Sequence, residues 1–255
     1  MMGYNHAISG AAAWVAVAST APNFPALGVT AVEPWQMITG AIVCAGAALL
    51  PDADHHNATI AHSVPVVGSA AVGAVGALTG GHRHGMHSIL AIVGIWFATG
   101  WIGALTWRPN WWNQAIPYGA AIATAALLTF AVKVLKVGKT WLRSWIIGAV
   151  AAAAITLFMP DQIGWFQLCI TVGFLTHIVG DFLTVEGISW LWPLKIKAPK
   201  FIANTPLVNL IWKENGYFAL PILGKTGSIF AYLFGAALGL YALAGLATNV
   251  LGVAL

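Results

Sequence analysis

In a chain where 7% of residues are charged, three imidazoles and a guanidinium crowd into Gly80-Gly81-His82-Arg83-His84-Gly85-Met86-His87-Ser88. Imidazole is the commonest metal ligand and the usual proton carrier near neutral pH. The flanking glycines allow the tight turns that bring such side chains close to what they bind. Other segments repeat these residue types: His6 near the start, then Pro51-Asp52-Ala53-Asp54-His55-His56, and later Thr176-His177-Ile178-Val179-Gly180-Asp181. His177 and Asp181 are four apart and share one helix face, so the aspartate can ligate beside the histidine or orient it. Asp52 and Asp54 flank Ala53 in an expected extended turn, where both carboxylates can point the same way.

Mixed His and Asp donors suit a divalent metal of the Zn type, with Mn or Fe as alternatives, better than Ca, which prefers oxygen alone. The candidate ligands are His6, Asp54, His55, His87, His177 and Asp181. Asp52 and His82 are candidates for proton transfer, and Arg83 for a two-point clamp on a phosphate or carboxylate. This set exceeds the four ligands of a tetrahedral zinc, so one or two ions are expected, with a carboxylate able to bridge a pair. Such ions activate water and stabilise developing negative charge. His56, His62 and His84 read as surface or interfacial polar residues, and Glu33 and Asp161 as solvated loop charges.

The elements that must position these groups are set by composition. Hydrophobic residues make up 59% of the 255, mean hydropathy is +0.82, and there are eleven basic and seven acidic residues. Soluble domains carry about 25% charged residues, so a soluble globular fold is excluded. The fold class is all-α: a polytopic membrane bundle of about seven transmembrane helices plus one interfacial or re-entrant helix. The basic residues form no clustered face, so no nucleic-acid partner is expected. Membrane lipids and a small or lipid-like substrate are the expected partners, and oligomeric state is left open. Cys44 and Cys169 lie in apolar runs and read as buried free thiols.

The expected spans are Met1 to Thr20, Trp35 to Leu50, Ile89 to Trp107, Ala115 to Leu135, Trp141 to Met159, Ile163 to Leu183, and Ile229 to about Val253. The first is read as a retained helix, because no Lys or Arg precedes Arg83 to make the positive region of a secretory signal. Val64 to Thr79 is built of Gly, Ala and Val and is read as the interfacial or re-entrant piece. Thr184 to Gly227 looks like a loop lying on the membrane surface, and the tryptophans mostly mark interfacial belts. Lys133, Lys136, Lys139 and Arg143 share one loop, and Lys195, Lys197, Lys200, Lys213 and Lys225 another. The positive-inside rule makes both cytoplasmic. That arrangement leaves Arg108 alone outside and brings every candidate ligand to the cytoplasmic helix ends. Polar groups there are costly unless paired, so their convergence implies a shared partner.

The order of His6, Leu50-Pro51-Asp52-Ala53-Asp54-His55, the His82–Ser88 run, His177-Ile178-Val179-Gly180-Asp181-Phe182-Leu183-Thr184, Gly187 and Leu191-Trp192-Pro193 resembles the YdjM-like family of inner-membrane-associated, metal-dependent hydrolases. The family usually reads His-Arg-Gly-x-Thr-His-Ser in the central motif, where this chain has His84 and Met86. The motifs cover residues 1–193, a metal-site bundle, and stop before 194–255, a surface loop and last helix of the same domain. The resemblance implies a hydrolase of the inner membrane. A site at the interface favours a lipid-like substrate, or a phosphate or carboxylic ester. The alternative is a non-catalytic metal-binding membrane protein or an ion transporter, against which the site's place at helix ends argues; no internal repeat is visible.

Overall fold

The apolar runs fold as helices, several of them started by a capping residue: Glu33, Ser88, Thr140 and Ser228. The structure, a computed structural model, describes residues 1–64, 66–159, 162–203 and 205–253; the turn at Pro160 and Asp161 falls outside them. Helix α1 is Gly3–Ala18 and α2 is Pro34–Ala47. Pro34 sits where a helix needs no N–H, and the backbone N–H of Glu33 donates to Gln36 Oε1 at 2.9 Å. Glu33, expected as a free loop charge, is thus a helix cap. A 3₁₀ turn, Pro51–Asp54, carries the two aspartates, in place of the extended turn expected there. Then come α3 (Val67–Thr79), α4 (Ile89–Ala104), α5 (Tyr118–Val134), α6 (Trp141–Phe158) and α7 (Gln162–Phe182). Short helices α8 (Lys200–Ala203) and α9 (Pro206–Ile211) precede α10 (Ile229–Leu251). Among the described residues β structure is limited to three isolated bridges.

Among the described residues, four helical stretches are long and apolar enough to cross a membrane: Pro34–Asp54, Trp141–Phe158, Gly164–Phe182 and Ile229–Leu251. The apolar α4 and α5 are shorter. Helices α1, α2 and α7 pack on one another at the centre, with α10 on α1, α4 on α7, and α6 paired with α5. Small residues permit the close approach. A Cβ on Gly10 would come within 2.6 Å of Cys44 O, and one on Gly173 within 2.8 Å of Ala47 Cβ. The core holds Trp14, Phe166, Ile170 and both cysteines, which are free. Trp14 and Trp165 are therefore interior residues, whereas Trp107, Trp111 and Trp112 form the exposed cluster an interfacial belt predicts.

Two connecting pieces shape the site end. Helix α3 packs across the Pro51–Asp54 and Thr59–His62 turns. The segment expected as a plain surface loop is tied into the bundle at both ends. Ile89 N–H donates to Trp190 O, Ser189 N–H to Arg83 O, and Leu220 N–H to Phe182 O, at 3.0, 3.1 and 2.8 Å.

Candidate metal centre

Each segment delivers its side chains by a local device. One turn into α1, His6 faces the end of α7. Gly80 and Gly81 take left-handed backbone (φ +81° and +93°), and Arg83 does the same at φ 62°. This coiling sends successive side chains in different directions: His82 to Asp54, Arg83 to Asp181, and His84 to Tyr217, whose hydroxyl lies 3.0 Å from His84 Nδ1. Ser88 then caps α4, accepting from Ala91 N–H at 3.2 Å.

The cluster is buried at its centre. His6, Asp54, His87, His177 and Asp181 are buried, and Asp52 and His82 are half-buried. His177 Nδ1 lies 2.7 Å from Ala48 O. A carbonyl only accepts, so Nδ1 carries the proton and Nε2 is left with a free lone pair. That Nε2 faces His87 Nε2 at 3.2 Å, with Asp52 Oδ1 at 3.6 Å and Asp181 Oδ2 at 3.7 Å. The His6 and His177 rings stack with centroids 3.6 Å apart. His6 Nε2 is 3.3 Å from Asp181 Oδ1, and His82 Nδ1 is 3.0 Å from Asp54 Oδ1. Burial drives the His87 imidazole down, but the carboxylates of Asp181 and Asp54 outweigh it and hold it up at about 9. At the rim, burial and then His82 lower His55.

These donors fit a divalent ion. Among the described residues, three sets have one ligand atom per residue within 4.8 Å of each other: His6, His177 and Asp181; Asp52, His87 and His177; Asp54, His82 and His87. Ligand atoms around an ion at ~2 Å stand roughly 3–3.5 Å apart, close to the spacings found. His6 Nδ1, Asp54 Oδ2 and His87 Nδ1 are buried without a hydrogen-bond partner. The last two lie 3.4 Å apart without the alignment of a bond. Native interiors rarely leave such groups unmatched.

Most of the expected residues therefore meet, and two stand apart. His55 belongs to none of the three sets; its ring lies 4.6 Å from that of His82, and Asn57 N–H donates to its Nδ1 at 3.3 Å. Arg83, expected to clamp a substrate, is engaged by the protein itself. Its guanidinium pairs with Asp181 Oδ2 at 3.2 Å and donates to Thr184 Oγ1 and Gly187 O, both at 3.2 Å, and to Thr226 Oγ1 at 3.4 Å. Glu186 stands 3.9 Å away. Thr184 and Gly187 stand in the motif carrying the resemblance, which pointed at them without giving a role. Nothing in the sequence singled out Thr226, Glu186 or the Met1 amine, which also bonds to Asp181. His56 and His62 are exposed, and the three histidines read as polar surface stay outside the donor sets.

Long apolar helices around a buried His/Asp cluster define a helical membrane protein with a candidate metal centre. The profile of the YdjM inner membrane protein family matches residues 1–251, and the chain belongs to that family. The match runs beyond Pro193, where the short motifs stop, to the end of α10. No curated protein and no solved structure matches the chain.

Proposed function

We propose that the cluster is the divalent-metal site of a membrane-embedded hydrolase acting on an ester at the cytoplasmic face of the inner membrane. The observation that carries this reading is the pair of facing Nε2 atoms of His87 and His177, 3.2 Å apart and flanked by Asp52 and Asp181. Zn is the first choice, with Mn or Fe as alternatives. The sets His6/His177/Asp181 and Asp54/His82/His87 share no residue, so two ions fit without competing for a side chain. The middle set borrows one histidine from each and describes a single ion instead. A bound ion supplies Lewis acidity and makes water reactive at neutral pH.

The chain's own groups do the rest. Ala48 O fixes the His177 tautomer, and Arg83 holds Asp181. With two ions bound, Asp52 belongs to neither set and is free to take and return a proton; with a single ion in the middle set, His82 has that freedom. Hydrolysis adds the oxygen of one water to the acyl carbon or phosphorus. It breaks the bond to the leaving oxygen, which takes a proton. Seven crossings, by α1, α2, α4, α5, α6, α7 and α10, go with this reading, with α3 lying over the site end.

Metal content of purified protein tests it. His87→Ala, His177→Ala and Asp54→Ala are each expected to lose more than the ~10–100-fold in affinity typical of a residue that only supports a ligand. His62→Ala should bind as the parent does. Equal metal in all four removes the site. A parallel screen of short-chain phosphate and carboxylic esters tests the chemistry; metal bound without hydrolysis of either class rejects the hydrolase and keeps the metal site.

A further inference from the structure

Two cavities flank Met1 beside the cluster, and they differ in kind. One, of about 220 Å³, is a polar vestibule walled by Asp52, His55, His82, Arg83, Asp181 and Thr226. The other, of about 330 Å³, is an apolar groove between α1, α7 and α10. Its lining follows the helical repeat on all three walls: Ser9, Ala12, Ala13 and Ala16; Thr176, Val179, Gly180 and Leu183; Phe234, Leu238 and Tyr241. Residues spaced three, four and seven apart share one face, so the groove runs along the helix axes. Seven residues at 1.5 Å rise make it roughly 10 Å long. Small alanines on α1 open the space. The Tyr241 hydroxyl is pinned to Pro25 O at 2.7 Å and fixes its ring in the wall away from the site.

The other end of the groove reaches Met1, whose amine bonds to Asp181. Met1 lines both cavities. Consecutive residues of α7 face different ones, Gly180 the groove and Asp181 the vestibule. Gly180 has no room for a side chain: a Cβ there would come within 2.9 Å of Met1 Sδ and 3.3 Å of His6 Cε1. The groove carries no charged side chain, and Val179 on its wall is 38% exposed. Beside it, α10 presents Leu240 and Leu243 outward, at 70% and 65% exposure, as a lipid-facing surface.

We propose that the groove holds one hydrocarbon chain of the substrate, whose polar head occupies the vestibule. The substrate is then a single-chain amphiphile, or one chain of a larger lipid, held with its ester at the level of His6 and Asp181. This rests on the metal-hydrolase reading for its chemistry, but binding can be read without turnover. The volume supports one chain: it lies at the low end of the ~300–1,000 Å³ range of ligand pockets.

The test uses the full chain reconstituted in phosphatidylcholine vesicles, with a long-chain alkyl phosphate bearing a mid-chain diazirine as probe. After photolysis, labelled residues are mapped by mass spectrometry. Labels should concentrate on the groove faces of α1 and α7, above the level on Leu240 and Leu243. Leu238→Trp, which fills the groove, should cut groove labelling about 10-fold, the scale on which apolar pockets discriminate small volume changes. Ala16→Leu does so from the opposite wall, in case the first variant folds poorly. The matching alkane should compete far less well than the unlabelled alkyl phosphate.

Groove labelling no higher than on the outer face of α10, or unchanged in both variants, overturns the proposal. So does equal competition by the alkane, which makes the groove a hydrocarbon site unconnected to the vestibule. Specific labelling without any ester hydrolysis rejects the hydrolase reading and leaves the groove assignment standing. Hydrolysis of short-chain esters without groove labelling does the reverse.

Discussion

Asp181 is the most heavily engaged carboxylate in the cluster: His6, His87, His177, Arg83 and the Met1 amine all reach it. A carboxylate held from so many sides in a buried site is fixed in direction. Arg83 contributes a planar fork that touches Asp181 on one side and Thr184 and Gly187 on the other. Lysine keeps the charge but cannot make both contacts. Arg83→Lys is therefore expected to weaken metal binding ~10–100-fold, the usual cost of losing a group that orients a ligand. Titration of metal-free protein with Zn reads this directly. An unchanged affinity with a large loss of hydrolysis would return Arg83 to the role of substrate clamp. The sequence shows why that role was expected: Arg83 sits among histidines, while its partners Asp181 and Thr184 lie about a hundred residues away. Spacing identifies which residues can do chemistry, and it is silent on which of them neutralise one another.

At the scale of elements, the long helices were legible because apolar runs bounded by Pro34, Ser88, Thr140 and Ser228 leave little choice of state. The i, i+4 pairing of His177 with Asp181 followed from the same regularity. The Pro51–Asp54 turn and the Thr184–Gly227 segment were not, since Pro, Trp and Lys in mixed order carry no period. The segment takes its shape from contacts with α4, α7 and the Arg83 loop, and the turn from contacts with α3, α7 and the Gly85–His87 turn. What brings the legible helices into one site is the small-residue contact of α1, α2 and α7. Gly10→Leu must push α1 off the Cys44 backbone, because the first atom of the new side chain already lies within 2.6 Å of Cys44 O. Overpacking of this kind costs ~1–3 kcal/mol or more. The expected result is a lower melting temperature in detergent together with reduced metal, since α1 carries His6 and α2 leads into Asp52 and Asp54. Gly94→Leu is the control: nothing stands within 4 Å of its Cβ position, and both readings should stay as in the parent. Loss of thermal stability with metal binding intact would mean the helices hold the site less directly than their packing implies.

For the whole molecule the question is which end faces the cytoplasm. The basic turn between α5 and α6 stands on the site end, because Trp145, in the second turn of α6, donates from Nε1 to Ser63 O at 2.9 Å. There Lys133 Nζ donates to Lys139 O at 2.8 Å and lies 5.5 Å from the Trp141 ring. The other large group of lysines lies between α7 and α10, in the segment anchored to Arg83 and Phe182. Arg108 sits instead in the tryptophan-rich turn between α4 and α5, next to Trp107 and Trp111. Positive charge is thus concentrated at the end that carries the candidate metal centre, which is what the proposed cytoplasmic orientation of that end rests on. Reporters fused after Gly138 and after Asn57 should then score as cytoplasmic, and one fused after Asn110 as external. The Asn57 fusion is the decisive one, because it lies between α2 and α3. An external signal there would require α3 to cross, placing Asp52 and Asp54 on the face opposite His82 and His87, and no arrangement of these helices could then keep His82 Nδ1 within 3.0 Å of Asp54.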